Sequence, residues 1–180
     1  MDIIIRQLTE KDDPLQISNI YEQSWKYAYK GIIPQAYLDS IPSGRWVKSL
    51  DTPGRTHFAA ELDGKLVGTA SICPSRWEKH KDCGEIVSIY FLPGFMGKGF
   101  GGALFDRCVS ELTKQGFDRI ILWVLEENSR ARRFYERNGF VCTGEYREDS
   151  IGEKTLREVL YSTQLGETLL EKGYPPIPPS

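Results

Sequence analysis

The apolar positions change period several times along the chain, and each change marks an element. Ile3 to Arg6 form a short β-prone run, after which the sequence turns polar and takes up helical spacing, with Tyr21, Trp25, Ala28 and Tyr29 on one face and Gly31 as a stop. Pro34 suits the first turn of a second helix carrying Tyr37, Leu38, Ile41 and Trp46. Two β-prone runs then flank Asp63-Gly64, a pair suited to a tight hairpin turn. A long strand from Cys83 to Leu92 leads into a glycine-dense loop. The helix after it places Leu104, Phe105, Cys108, Val109 and Leu112 on one face and ends at Gly116. A strand over Arg119 to Leu125 follows. Ser129 is the expected cap of a further helix whose inner face is Ala131, Phe134 and Tyr135 and whose stop is Gly139. Strands over Phe140 to Tyr146 and Lys154 to Ser162 complete the pattern. The final YPPIPPS suits an extended or disordered end.

This order, with a run of antiparallel-looking strands and no regular βαβ alternation in the first half, predicts an α+β fold. At 180 residues and 40% hydrophobic composition the chain has enough apolar material for one core. The expected organisation is a single domain over residues 1–164 and a proline-rich tail over 165–180. A net charge of -2 and a pI near 5.8 give no basic field, so nucleic acid is not an expected partner. Cys73, Cys83, Cys108 and Cys142, with His57 and His80, have no metal-ligand spacing, so no metal is expected. Nothing resembles a leader or a membrane span; the expectation is a soluble, cytoplasmic protein with reduced thiols and no membrane partner.

The candidate chemistry lies in the loop PGFMGKGFGGAL, residues 93–104. Glycines at 97, 99, 101 and 102 let a ligand approach the backbone, and the loop amides join the unpaired amides of the following helix's first turn to form a phosphate cradle. Gly97, Gly99 and Gly102 also satisfy the dinucleotide pattern G-x-G-x-x-G. The chain offers neither half of a doubly wound sheet around it, so a nicotinamide-binding protein is a remote reading. A P-loop fits worse, because Gly99 stands where a Ser or Thr would hold magnesium.

From Glu85 through Phe140 the segments IVSIYFLPGFMGKGFGGAL and WVLEENSRARRFYERNGF resemble the GNAT superfamily of acetyl-coenzyme A dependent N-acetyltransferases. The resemblance implies the GNAT fold: a mixed, mostly antiparallel sheet, splayed between the strand before the glycine loop and the strand after its helix, with helices on both faces. It implies acetyl-coenzyme A as co-substrate and no metal. The family's Q/R-x-x-G-x-G/A loop corresponds to Met96, Gly97, Lys98, Gly99, Phe100 and Gly101, with Gly102 following; Met96 departs from the leading Gln or Arg. Ile89, Tyr90 and Phe91 would offer backbone groups to the pantetheine arm, and the Phe91 amide could polarise the thioester carbonyl.

Among the remaining residues, Glu85 matches a glutamate that some members use as general base, usually through water; it would otherwise be a solvated charge. Tyr135 matches the tyrosine that protonates the departing thiolate and also contacts cofactor; it would otherwise be a core aromatic. Asn128 matches a coenzyme-touching position, or is a turn or cap residue. Arg130, Arg132 and Arg133 lie where cations oppose the helix dipole, which an anionic partner such as the coenzyme's 3′-phosphate would explain; Arg132 could instead pair with Glu136.

The resemblance also assigns the first two helices and the loop before the central strand to the acceptor. Trp25, Tyr29 and Tyr37 are the candidate acceptor-binding residues, with Tyr21 and Trp77 as further aromatics and Glu22 or Asp39 to attract a cation. The same aromatics equally suit a core. SWKYAYKGIIP is loosely similar to polyamine-acetylating members. The expected activity is therefore acetyl transfer to a primary amine of a small molecule or peptide, with a homodimer as a possible assembly. The alternative is a non-catalytic acyl-coenzyme A sensor or interaction module with the same fold.

Overall fold

The structure, a computed structural model, describes residues 3–164. The expected tail therefore lies outside the described residues. Seven strands form one sheet in the order β1-β2-β3-β4-β5-β7-β6. They are β1 (Ile4–Gln7), β2 (Thr56–Leu62), β3 (Lys65–Pro74), β4 (Gly84–Phe91), β5 (Arg119–Leu125), β6 (Val141–Ile151) and β7 (Lys154–Gln164). Neighbours are antiparallel except β4 and β5, which run parallel. The helices are α1 (Pro14–Ala28), α2 (Gln35–Asp39), α3 (Val47–Leu50), α4 (Phe100–Lys114) and α5 (Ser129–Arg137).

Most elements form where periodicity and turn chemistry place them. Asp13 caps α1, its carboxylate accepting from Leu15 N at 2.9 Å, and Pro14 occupies the first turn. Asp63 and Gly64 both adopt positive φ, 50° and 76°, which is the geometry the β2–β3 hairpin needs. Three boundaries differ from expectation. The second helix stops at Asp39, because Pro42 and Gly44 interrupt it, and Trp46 leads into the separate α3. Asn128, not Ser129, caps α5, its side chain accepting from Ala131 N at 3.2 Å. β6 extends to Ile151, so the last hairpin reaches further than its apolar residues suggest.

The sheet is covered on both faces. Ile17, Ile20, Tyr21 and Ser24 of α1 are buried on one side; Leu104, Phe105, Cys108 and Leu112 of α4 are buried in the main core on the other. Burying each of the large apolar side chains stabilises the fold by about 1.5–3 kcal/mol. Gly84 makes room for α4, since a side-chain carbon there would stand 2.9 Å from Leu112 Cδ2.

One join in the sheet is incomplete. β4 and β5 pair only at Gly84↔Ile120 and Glu85↔Ile121. Beyond those pairs β4 continues on β3 to Phe91, while β5 continues on β7 to Leu125. The β3–β4 register passes from Ser71↔Ser88 to Ile72↔Ile86, which leaves Val87 as an extra, bulged residue. Such a bulge bends its strand and ends pairing on the other edge. The splay expected from the resemblance is thus built from an inserted residue.

Candidate active site

The parted strands open into a cavity of about 680 Å³ that passes from one face of the sheet to the other. At one end stand Met96, Gly97, Gly99, Gly101 and Gly102 of the loop, with Asn128, Arg130, Phe134 and Tyr135. At the other end are Trp25 and Tyr29 of α1, Trp123 and Leu125 of β5, Ile151, and Glu158 of β7. Ile89, Tyr90 and Phe91 lie between.

The glycine loop is built to expose backbone. Gly97 and Gly99 hold φ at 75° and 87°, a region that favours glycine. Gly99 is the N-cap of α4 and supplies no side-chain cap, so the first-turn amides are claimed by no side chain. A side-chain carbon at Gly101 would come within 3.3 Å of the Phe134 ring. Not every expected loop residue faces the cavity. Lys98 Nζ lies 5.3 Å from the centre of the Phe95 ring, and the Phe100 ring packs against the main core; neither lines the cavity.

Arg130 reaches the loop from α5, its Nη1 3.7 Å from Met96 Sδ. A cation thus stands beside the position where the glycine-loop pattern has a polar side chain. Arg133 is exposed and lines no part of the cavity. Arg132 is a structural residue: its Nε donates to Tyr161 Oη at 2.9 Å and its Nη1 to the Glu126 carbonyl at 3.1 Å. Tyr161 in turn donates to Glu136 at 2.7 Å, so the expected link between Arg132 and Glu136 runs through a third residue.

β4 presents its backbone alternately. Leu92 N donates to the Val67 carbonyl at 2.8 Å, which puts the backbone groups of Tyr90 toward β3 and those of Ile89 and Phe91 toward the gap. Tyr90 therefore contributes its side chain, correcting the expectation of a backbone contact. The Phe91 carbonyl accepts from Ser24 Oγ at 2.6 Å, fixing this strand end to α1.

The aromatics expected to bind the acceptor divide. Trp25 Nε1 donates to Tyr90 Oη at 3.1 Å, and the Tyr29 and Tyr90 hydroxyls are 3.3 Å apart, so Trp25, Tyr29 and Tyr90 form one bonded cluster on the cavity wall. Burial, and then the neighbouring Tyr90, push the Tyr29 hydroxyl well above its ordinary pKa; burial also raises Tyr90, against the lowering effect of its hydrogen bonds to Tyr29 and Trp25. Tyr37 is elsewhere. It accepts from Arg45 at 3.1 Å and packs against Gly152 of the last hairpin turn, away from the cavity. Tyr135 lines the cavity between its ends, and among the described residues its hydroxyl bonds to none. Burial raises its pKa above the ordinary phenol value, so it stays protonated.

Glu85 is placed differently from a free base. Its side chain is 1% exposed and does not line the cavity. Arg76 donates to it from Nη2 at 2.6 Å, from Nε at 3.1 Å and from its backbone amide at 3.1 Å, and Trp77 Nε1 adds a fourth bond at 3.2 Å. Desolvation pushes this carboxyl up, but the Arg76 hydrogen bonds and charge, with Trp77, outweigh it and hold the pKa below its ordinary value. A saturated carboxylate of lowered pKa is a weak base. Glu22 pairs with Lys26 at 2.9 Å and Asp39 accepts from Gln35 at 2.8 Å, so neither expected acid faces the cavity.

Glu158, Trp123 and Arg137 line the cavity and were absent from the sequence expectations. Glu158, opposite Leu125, is the one carboxylate among the described residues lining the cavity. Arg147 of β6 makes an ionic contact with its Oε2 and stacks over Trp77 and Trp123, 4.5 and 5.4 Å from their ring centres. Trp123 Nε1 is buried and has no hydrogen-bond partner among the described residues. Arg137 also lines the cavity on the α5 side. Glu158 shares a strand face with Leu156 and Leu160, and that alternation was the one available signal for it.

Buried Cys73, Cys83 and Cys108 line no part of the cavity; burial raises all three thiols, Cys73 to about 11. No group of three or more potential metal ligands occurs among the described residues. Nor is any described helix long and apolar enough to cross a membrane.

A mixed sheet opened between two parallel strands over a glycine cradle defines an acyltransferase fold. The family model of the acetyltransferase (GNAT) family matches residues 16–140, and the chain belongs to that family. An uncharacterized N-acetyltransferase of Archaeoglobus fulgidus is 33% identical over 132 residues, 70% of this chain and 85% of that protein. Among solved structures, the PaiA N-acetyltransferase of Thermoplasma acidophilum in complex with coenzyme A superposes with a TM-score of 0.69 at 22% identity, over 91% of this chain and 99% of that one. The ribosomal-protein-S18-alanine N-acetyltransferase of Escherichia coli gives 0.68 at 19% identity, over 91% and 94%. These two likenesses concern the fold.

Proposed function

We propose that the chain transfers an acetyl group from acetyl-coenzyme A to a primary amine by direct attack. The observation that carries this reading is the continuity of the cavity: one opening joins a glycine cradle at a helix N-terminus to an aromatic compartment across the sheet. Acetyl-coenzyme A would supply the acetyl group as a thioester, and the crystallised PaiA enzyme of the same fold holds coenzyme A. The residues present suit that ligand. The loop amides and the first turn of α4 are left for an anion to take up, Arg130 adds positive charge beside Met96, and Ile89 and Phe91 turn backbone groups toward the gap. Asn128 is engaged as a helix cap and borders the same opening.

Tyr135 is the proposed acid for the departing sulfur: its hydroxyl lies on the cavity, bonds to none of the described residues and stays protonated at neutral pH. A thiolate is a tolerable leaving group, so this proton assists. Trp25 and Tyr29 wall the acceptor compartment.

The test is thiol release from acetyl-coenzyme A across a panel of monoamines, polyamines, amino acids and short peptides at pH 7 to 9. Release dependent on an amine is the expected result. Silence across the panel, with acetyl-coenzyme A still raising the melting temperature, would overturn transfer in favour of a sensor.

A further inference from the structure

The acceptor end of the cavity has an unusual wall. Trp25, Tyr29, Leu125 and Ile151 give it aromatic and aliphatic surface, and the single carboxylate among the described lining residues is Glu158. On its own sheet face Glu158 is backed by Arg147, which holds Oε2, and Trp77 and Trp123 cover the Arg147 guanidinium. The charge is therefore neutralised from behind and by one oxygen only. Trp123 lines the same cavity, and its Nε1 is buried behind that surface without a partner among the described residues. A half-buried carboxylate on a largely aromatic and aliphatic wall suits a small polar head on an uncharged skeleton.

We infer that Glu158 receives the acceptor as its ammonium ion and removes the proton that blocks attack, so that the preferred acceptor is a primary amine with no carboxylate beside it. This deepens the proposed acetyl transfer and rests on it. The Glu158 carboxylate takes one proton and becomes neutral. The freed nitrogen lone pair forms the C–N bond to the acetyl carbon as the C–S bond breaks. The sulfur leaves with that bonding pair and gains a proton from the Tyr135 hydroxyl; the second proton of the nitrogen passes to the tyrosinate. The proton on Glu158 then leaves to solvent, which balances the reaction as one proton released per amide formed. An α-amino acid would carry its own carboxylate toward Glu158, where like charges repel in a desolvated chamber.

The surroundings supply the basicity. Desolvation, the largest influence, raises the Glu158 pKa, Asp149 on β6 raises it further, and Arg147 on β6 and Arg76 after β3 hold it down; the net is upward. From the α1 and β4 sides the groups that face it are the Tyr29 and Tyr90 hydroxyls, which remain neutral. A carboxylate of raised pKa is a better base near neutral pH than the fully bonded Glu85.

The experiment measures acetyl-coenzyme A binding by calorimetry and amine-dependent thiol release from pH 5 to 9.5, in the wild type, Glu158→Gln and Arg147→Gln. It compares alaninamide with alanine as acceptors. For Glu158→Gln the expected result is a loss of about 100-fold or more in kcat/KM, with the acidic limb of the profile removed and coenzyme affinity within about twofold. Arg147→Gln should move that limb to higher pH, because the cation that favours ionised Glu158 is gone. Alaninamide should exceed alanine by at least about tenfold in the wild type, a margin that shrinks in Glu158→Gln. Retention of rate and limb in Glu158→Gln, in a wild type that acetylates amines, would overturn this inference alone. A wild type that binds acetyl-coenzyme A and acetylates no amine would overturn the underlying reading, and this inference with it.

Discussion

Arg76 grips Glu85 at two points, Nη2 to Oε1 at 2.6 Å and Nε to Oε2 at 3.1 Å, beside the last residue pair that still joins β4 to β5. The pair closes the narrow end of the splay. Glu85 is 1% exposed while Arg76 is 43% exposed, so the carboxylate is desolvated far more than its partner. Removing one member of such a pair leaves the other uncompensated.

Glu85→Gln should therefore act first on stability, with a loss of about 2 kcal/mol at pH 7 by chemical denaturation, because four hydrogen bonds to a charged acceptor are weakened while the half-exposed Arg76 is left to solvent. The folded pKa of Glu85 lies below its ordinary value, so its contribution is present above that value and fades as pH falls through the depressed folded one. The gap between wild type and variant should narrow between pH 7 and pH 3. Unchanged stability together with abolished turnover would return Glu85 to the base role.

Tyr135→Phe removes only a hydroxyl that bonds to none of the described residues, and keeps the ring against Phe105 and Phe140. Turnover should fall by about 10²-fold while the apparent melting temperature stays near that of the wild type. A large loss of stability with normal turnover would make Tyr135 a core aromatic.

Gly99→Ala places a side chain at φ 87°, in the residue that opens α4. Stability should fall by about 1 kcal/mol, and coenzyme affinity should fall further, because the amides that form the cradle must shift. Calorimetry with coenzyme A reads both effects apart if binding is measured well below the melting temperature.

Arg130→Ala and Arg133→Ala differ in one respect that matters: only Arg130 borders the cavity. The first should weaken coenzyme A binding about tenfold and reduce its salt dependence, and the second should leave binding near the wild type. Equal effects would place the anion on the outer face of α5.

The parts of this molecule that local chemistry dictates were legible in its sequence. Asp63-Gly64, the glycine loop and the stop at Gly116 act through backbone conformation within a few residues, and they fall where that chemistry requires. Trp46 and Ile41 were misplaced into a helix because their burial comes from distant partners: Ile41 packs in the cluster around Leu38 and Leu156, and the Trp46 amide donates to Ser18 Oγ at 3.1 Å. The site shows the same division. Gly97 and Tyr135 belong to compact local patterns. Glu158 becomes a wall of the cavity only through the register of β7 on β5, and Glu85 is saturated by an arginine from the preceding connection, facts of pairing that no spacing within either segment encodes.

The bulge at Val87 has a mechanical consequence. The sheet is continuous across its centre through only two residue pairs, so β1–β4 and β5–β7 are two stiff plates sharing a short seam. An extended ligand that bonded the exposed edge of β4 would serve as a missing stitch along that seam. Occupancy would then fasten the plates together and make them unfold as one, and slowed amide exchange on binding would spread across strands that the ligand never touches.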